Sequence, residues 1–172
     1  MGGRMTAETR KSVTIIGCGR WFRGDDQVGL ITAERVAARR IPDVVVRTTE
    51  SPGTDIAAEL EQTDLLIVID SARSDETHPP GTWQCIDYLA APERVRARCA
   101  TSTHSLSVDV GLKFVVNAPR RADAVWVYAI AVGDVRHAES LTSEVDQASH
   151  EVASAIVEAV RALSGRPIAT EA

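Results

Sequence analysis

Three polar features of this sequence could carry out chemistry. The first is a pair of adjacent acids, Asp25 and Asp26, beside a glycine-rich turn, and the second is Asp70, which follows the apolar run LLIVI. The third is His104, in the polar stretch TSTHS. If they converge, two carboxylates and one imidazole can bind a divalent ion such as nickel or zinc and leave coordination positions open. They can also serve as acid and base around an attacking water.

Each feature also has a structural explanation when it is taken alone. Acidic residues at the start of a helix stabilise it by about 0.5–2 kcal/mol. One carboxylate is enough for that role, so we expect Asp25 to cap the helix and Asp26 to point into a cleft. A single aspartate after a strand is often a turn residue, and a single histidine is more often structural than a ligand. The prediction of a site therefore depends on the three features as a set.

Two other sites are less favoured by the same residues. Cys18 could be a nucleophile paired with His104, but it lies between two glycines directly after a buried strand, which is typical of a small packed thiol. The glycine-rich turn could belong to a nucleotide-binding α/β domain. There, Phe22 stands where the third glycine of the dinucleotide motif is needed, and Asp25 and Asp26 would repel a phosphate group.

Strand and helix patterns alternate along the chain. Strands are predicted at 13–16, 44–49, 65–69, 82–86 and 124–132, and helices at 27–40, 54–60, 92–99, 106–116 and 143–163. This order predicts an α/β fold: a single-domain three-layer sandwich with a mostly parallel twisted sheet and helices on both faces. Sites in such sheets form outside the carboxyl ends of the strands, and Asp70 is predicted to end the central strand.

Length and charge exclude several classes of function. The 172 residues fit one domain at 13–165, with a disordered N-terminal extension at 1–12 and a flexible tail at 166–172. A net charge of −5 argues against a general affinity for nucleic acid. Three cysteines without a CxxC pair argue against a disulfide framework and a zinc ribbon. We expect no membrane insertion and a cytoplasmic location, because no apolar signal core or span is visible.

The turn itself resembles a motif of a known family. Residues Gly17–Gly29 read GCGRWFRGDDQVG, and this is similar to the G-x-G-N-x-L-x-G-D-[DE]-x-x-G pattern of the hydrogenase maturation proteases of the HybD/HycI type. Further similar segments follow in the family's order, so that the resemblance spans Val13 to Leu163: Pro52-Gly53-Thr54, Asp70 within VIDSAR, Pro80-Gly81-Thr82, and His104 to Leu112.

The chain departs from the family pattern in the turn. Arg20 replaces the asparagine that follows the second glycine, and Gln27 stands where glycine or alanine is common. Trp21 and Phe22 replace smaller aliphatic residues. A cation beside the cleft could lower metal affinity or bind a substrate carboxylate instead.

The resemblance implies a function for the three polar features. Such endopeptidases remove a C-terminal extension from the large-subunit precursor of a [NiFe] hydrogenase after nickel has been inserted. By position, Asp26, Asp70 and His104 would contact that nickel and serve in catalysis. The nickel would arrive with the substrate, so no permanent cofactor is expected. A non-catalytic maturation chaperone of the same fold, which reads the metal without cleavage, is the alternative.

Overall fold

The computed structural model describes residues 11–59, 63–99, 107–117 and 122–163. The strands found in these ranges are β1 (Val13–Cys18), β2 (Val44–Thr49), β3 (Leu65–Arg73), β4 (Trp83–Asp87) and β5 (Ala124–Val132). The α-helices are α1 (Val28–Ala37), α2 (Pro52–Glu59), α3 (Pro92–Cys99), α4 (Val108–Asn117) and α5 (Ser143–Leu163). A short 3-10 helix (Gly24–Gln27) precedes α1.

In the described part of the chain, the strands form one sheet in the order β2-β1-β3-β5-β4. Neighbouring strands are parallel except for β4, which pairs antiparallel with β5 at one edge. The predicted sheet, with its central strand β3 and its additional edge strand, is confirmed. β3 has no polar face along its apolar run because helices cover both sides of it.

The helices divide the core into two halves, one on each face of the sheet. On one face α1 and α5 pack on the odd-numbered residues of β3, such as Ile67 and Ile69. On the other face α2, α3 and α4 pack on the even-numbered residues, such as Leu66 and Val68. Alternate side chains of a strand point to opposite faces, so one strand supplies both halves of the core. The predicted three-layer sandwich is confirmed.

Strand β3 does not end at Asp70, and the sequence prediction is wrong on this point. The ladder with β1 stops at the pair Gly17 and Ile69. The ladder with β5 continues to the pair Arg73 and Val132. The polar residues after the apolar run are therefore held in the strand by pairing on one side only. Asp70 is the first residue of β3 beyond its ladder with β1.

Within the described ranges, no helix combines the length and the apolar character that crossing a membrane requires. Residues 1–10 and 164–172 lie outside those ranges. The predictions of a disordered N-terminal extension and a flexible tail therefore stay predictions.

Candidate active site

The candidate site lies at the carboxyl ends of β1 and β3, where the topology reverses direction. The chain leaves β1 through α1 to β2 on one side, and then crosses through α2 to β3 on the other side. The loops diverge at such a point and leave a crevice, which is where open α/β sheets bind ligands. The 3-10 helix after β1 carries Asp26, and β3 carries Asp70.

Ser71 links the two acidic segments. Its hydroxyl donates a hydrogen bond of 3.0 Å to Asp26 Oδ1. Ser71 is buried and follows Asp70 directly in β3, whereas Asp26 is half-buried. The sequence alone indicates no role for Ser71, because only the extension of β3 shows that this hydroxyl lies beside the turn after β1. The structure thus places Asp26 and Asp70 near one another at the carboxyl ends of the strands.

The carboxyl group of Asp70 is in an unusual environment. The residue is only 9% exposed, and its burial and the nearby negative charge of Asp26 raise its pKa to about 8. A hydrogen bond with the Ser71 backbone partly opposes this effect. Burial and a like charge both disfavour the ionised form, so one of two neighbouring carboxyl groups holds a proton near neutral pH. Such a pair combines an acid and a base at one place.

Two buried thiols lie near Asp70. The pKa values of Cys18 and Cys99 are both raised, first by burial and next by the negative charge of Asp70. A thiol must lose its proton to become a nucleophile, so this environment works against nucleophilic chemistry. Cys18 is the last residue of β1, and its side chain is fully buried among core residues. The interpretation of Cys18 as a packed thiol agrees with this geometry.

Asp25 does not cap the helix, so the expected capping role is wrong. Its fully buried carboxylate makes no helix-cap hydrogen bond and instead joins the turn after β1 to the loop between β5 and α5. Oδ1 accepts from Thr142 N at 2.7 Å, and Oδ2 accepts from Gly133 N at 3.2 Å, Asp134 N at 3.0 Å and Thr142 Oγ1 at 3.1 Å. These donors satisfy the buried carboxylate group, and they fix the backbone directly before Asp26.

Gly17 and Gly29 lie where the backbone leaves no room for a side chain. A Cβ atom at Gly29 would collide with the carbonyl oxygen of Cys18 and would come within 2.5 Å of the carbonyl oxygen of Ile69. A Cβ atom at Gly17 would in turn collide with the carbonyl oxygen of Gly29. The first turn of α1 therefore rests directly on the ends of β1 and β3. This close approach holds Asp26 over the crevice.

His104 lies outside the described residues, so its place in the site stays a prediction. Helix α4, which follows it in sequence, packs through Val108 and Leu112 on the face of the sheet that carries the even-numbered residues of β3. Asp70 is also an even-numbered residue of β3. Among the residues that the structure does describe, no three His, Cys, Asp or Glu side chains are grouped closely enough to hold a metal ion. A three-ligand site thus requires a contribution from elsewhere in the chain.

Comparison with solved structures identifies proteins of the same fold. The [NiFe] hydrogenase maturation protease HybD from Thermococcus kodakarensis aligns over 87% of this chain and 99% of its own, with a TM-score of 0.69 and 18% identity. The endopeptidase HycI from Escherichia coli aligns over 83% of this chain and 87% of its own, with a TM-score of 0.68 and 22% identity. HycI from Thermococcus kodakarensis KOD1 aligns over 90% of this chain and 95% of its own, with a TM-score of 0.63 and 23% identity.

These similarities cover almost the whole described domain and agree with the resemblance found in the sequence. No protein-family model and no curated protein sequence matches the chain. At such low identity the likeness to solved structures is one of fold. The chain therefore has the fold of the hydrogenase maturation endopeptidases.

Proposed function

We propose that this protein is an endopeptidase that removes the C-terminal extension of a [NiFe]-hydrogenase large-subunit precursor after nickel insertion. The observation that carries the proposal is that Asp26 and the buried Asp70 lie close enough, at the crevice between β1 and β3, for the charge of Asp26 to raise the pKa of Asp70. The shared fold with HybD and HycI supports it. His104 completes the proposed set of metal-contacting residues.

The chemistry of this pair fits a cation that arrives with the substrate. Two carboxyl groups that repel each other gain stability when a divalent ion is placed between them. Oxygen ligands from Asp26 and Asp70 and a nitrogen ligand from His104 suit nickel, whose precursor site would supply the remaining ligands. The metal, or a carboxylate beside it, would then polarise the scissile carbonyl or activate a water molecule. The protein itself needs no permanent cofactor in this scheme.

A maturation chaperone that reads the metal without cleaving is the second candidate. Arg20 is the observation that favours it, since the family pattern has asparagine at that position. Arg20 is exposed, and its backbone N–H donates to the Asp26 carbonyl oxygen at 3.2 Å. A departure from the family pattern in the turn that holds Asp26 is what a protein that has kept the fold and lost cleavage would show.

The proposed compartment is the cytoplasm. Cys18, Cys85 and Cys99 are all free thiols, and Cys85 is exposed. Exposed free thiols are typical of proteins in a reducing environment.

Cleavage of the precursor tests the proposal. The purified protein is incubated with nickel-loaded and nickel-free precursor, and the mass of the large subunit is measured. Shortening of the nickel-loaded form alone supports the endopeptidase, and tight binding without shortening supports the chaperone. Asp26→Ala and His104→Ala should abolish shortening, while His150→Ala, at an exposed position on α5, is the matched control. Normal processing by either site variant would overturn the assignment of that residue.

A further inference from the structure

The turn at Arg20–Arg23, which we call the RWFR turn, exposes a large aromatic side chain. Phe22 is 56% exposed, and only a few large apolar side chains of the described residues are exposed to a comparable degree. Val135, also exposed, lies on the loop that pairs with this turn through a bridge between Arg23 and Ala138. Two of the exposed large apolar side chains, Phe22 and Val135, thus lie on paired loops at the carboxyl edge of the sheet.

The backbone of Phe22 is strained. Its φ angle is 61°, in the left-handed region that bulky residues rarely adopt. Glycine or asparagine would occupy this position at a lower conformational cost. Because the Phe22 side chain is largely exposed, burial in the core does not offset that cost. A strained and exposed aromatic residue indicates a role outside the folded chain itself.

Hydrogen bonds hold the RWFR turn in one conformation. Trp21 N donates to Glu50 Oε1 at 3.0 Å, and Ala138 N donates to the Phe22 carbonyl oxygen at 3.1 Å. Gly24 N donates to the Ala138 carbonyl oxygen at 3.1 Å. The turn is therefore anchored both to the end of β2 and to the loop before α5. A rigid aromatic group loses little conformational entropy when a partner binds it.

The charge of the RWFR turn indicates what kind of partner would fit. Arg20 and Arg23 are exposed and form no ion pair with any residue in the described ranges. Arginine, tryptophan and other aromatic residues are enriched at the centres of protein interfaces. The complementary surface is an apolar side chain that lies next to a carboxylate. The turn also flanks the candidate site, since Arg20 N bonds to the Asp26 backbone.

We propose that the RWFR turn is the docking element for the precursor, with an apolar precursor side chain on Phe22 and a neighbouring precursor carboxylate on Arg20 or Arg23. This inference rests on the proposed function, because it takes the hydrogenase precursor as the partner. The turn supplies affinity and specificity, whereas Asp26 and Asp70 supply the chemistry. The departures of this chain from the family pattern then reflect the surface of its own precursor.

Direct binding and cleavage are measured separately for each variant. Phe22→Ala and Phe22→Gly should weaken the Kd for nickel-loaded precursor at least about tenfold and raise KM similarly, with kcat within about twofold. Phe22→Gly should keep or raise the melting temperature, because it relieves the left-handed strain. Arg20→Gln combined with Arg23→Gln should weaken binding and reduce its dependence on salt. Leu163→Ala is the matched control, because Leu163 is 54% exposed at the far end of the 21-residue helix α5.

The outcomes separate this proposal from the proposed function. Binding and cleavage by the wild type, with an unchanged Kd for Phe22→Ala, overturn the docking element alone. Binding by the wild type without cleavage overturns the endopeptidase, and the effect of Phe22→Ala on Kd still decides the docking element. A wild type that does not bind the precursor overturns both.

Discussion

Replacing Asp70 with asparagine should make the protein more stable near neutral pH while it abolishes processing. The side chain of Asp70 is buried beside Asp26, and its pKa is raised to about 8. In the unfolded chain the same group titrates near its ordinary value of about 3.9. Asparagine has almost the same shape and carries no charge, so it removes the titration and leaves the packing nearly unchanged.

The sign and size of the effect follow from proton linkage. Between the unfolded and folded pKa values the folded protein holds a proton that the unfolded chain has lost, so the wild-type free energy of unfolding falls as pH rises. The loss is about 1.4 kcal/mol per pH unit. It begins near pH 4 and ends as pH passes the folded value of about 8. A pH of about 7 is some three units above the pKa of Asp70 in the unfolded chain, so the wild type has by then lost about 4 kcal/mol of unfolding free energy. That is a large part of the 5–15 kcal/mol by which domains are usually stable.

Urea denaturation followed by circular dichroism, in the presence of a chelator, measures this quantity. The difference in unfolding free energy between Asp70→Asn and wild type should be near zero at about pH 4 and grow towards about 4 kcal/mol at about pH 7. Groups that do not interact with Asp70 titrate alike in both proteins and cancel in the difference. Asp87→Asn is the matched control, because Asp87 is exposed on the edge strand β4. A difference that does not change with pH would refute the account of Asp70.

Three further substitutions test the parts of the site. Asp26→Asn should abolish processing. It should also lower the Asp70 pKa, because it removes a charge that helps to raise it, so the loss of stability with rising pH should end at a lower pH than in the wild type. If the unfolding free energy of the variant follows the same pH curve as the wild type, the two groups do not interact. Asp25→Asn should lower the free energy of unfolding by roughly 1–3 kcal/mol in urea denaturation, because an amide cannot accept all four hydrogen bonds of the buried carboxylate. A change near zero would argue against a stabilising role for these hydrogen bonds. Gly29→Ala should cost about 1–3 kcal/mol and lower kcat, because its Cβ would press on the carbonyl oxygens of β1 and β3; an unchanged melting temperature would show that the approach is looser than described.

Elements with a strong local pattern could be predicted from the sequence. The predicted bounds of β5 and α5 match the structure, because nine consecutive hydrophobic residues rich in β-branched and aromatic types, and a long apolar stripe at helical spacing, leave little choice. The end of β3 was missed because Asp70 and Ser71 interrupt the apolar run. Their strand conformation comes from pairing with β5, which is more than 50 residues away in sequence. Local polarity carries no information about such a ladder.

The candidate site could be predicted in part for the same reason. The residue types at Asp26 and Asp70 indicated chemistry, and the topology rule for α/β sheets indicated that they would meet. The role of Asp25 could not be predicted, since its partners Gly133 and Thr142 lie 108 and 117 positions along the chain. A carboxylate that accepts from a distant loop looks in sequence like one that caps its own helix. His104 is assigned by the family resemblance alone, and its contact with a metal stays a prediction.

Anomalous X-ray scattering from crystals soaked with nickel tests the central claim most directly, since the claim is that three residues remote in sequence bind one ion. We expect a single anomalous peak at the crevice between β1 and β3, from a nickel ion bonded at about 2.0–2.2 Å to carboxylate oxygens of Asp26 and Asp70 and to an imidazole nitrogen of His104. The peak should vanish in crystals of Asp26→Ala. A nickel ion bound elsewhere, or an imidazole of His104 on the opposite side of the sheet from Asp70, would contradict it.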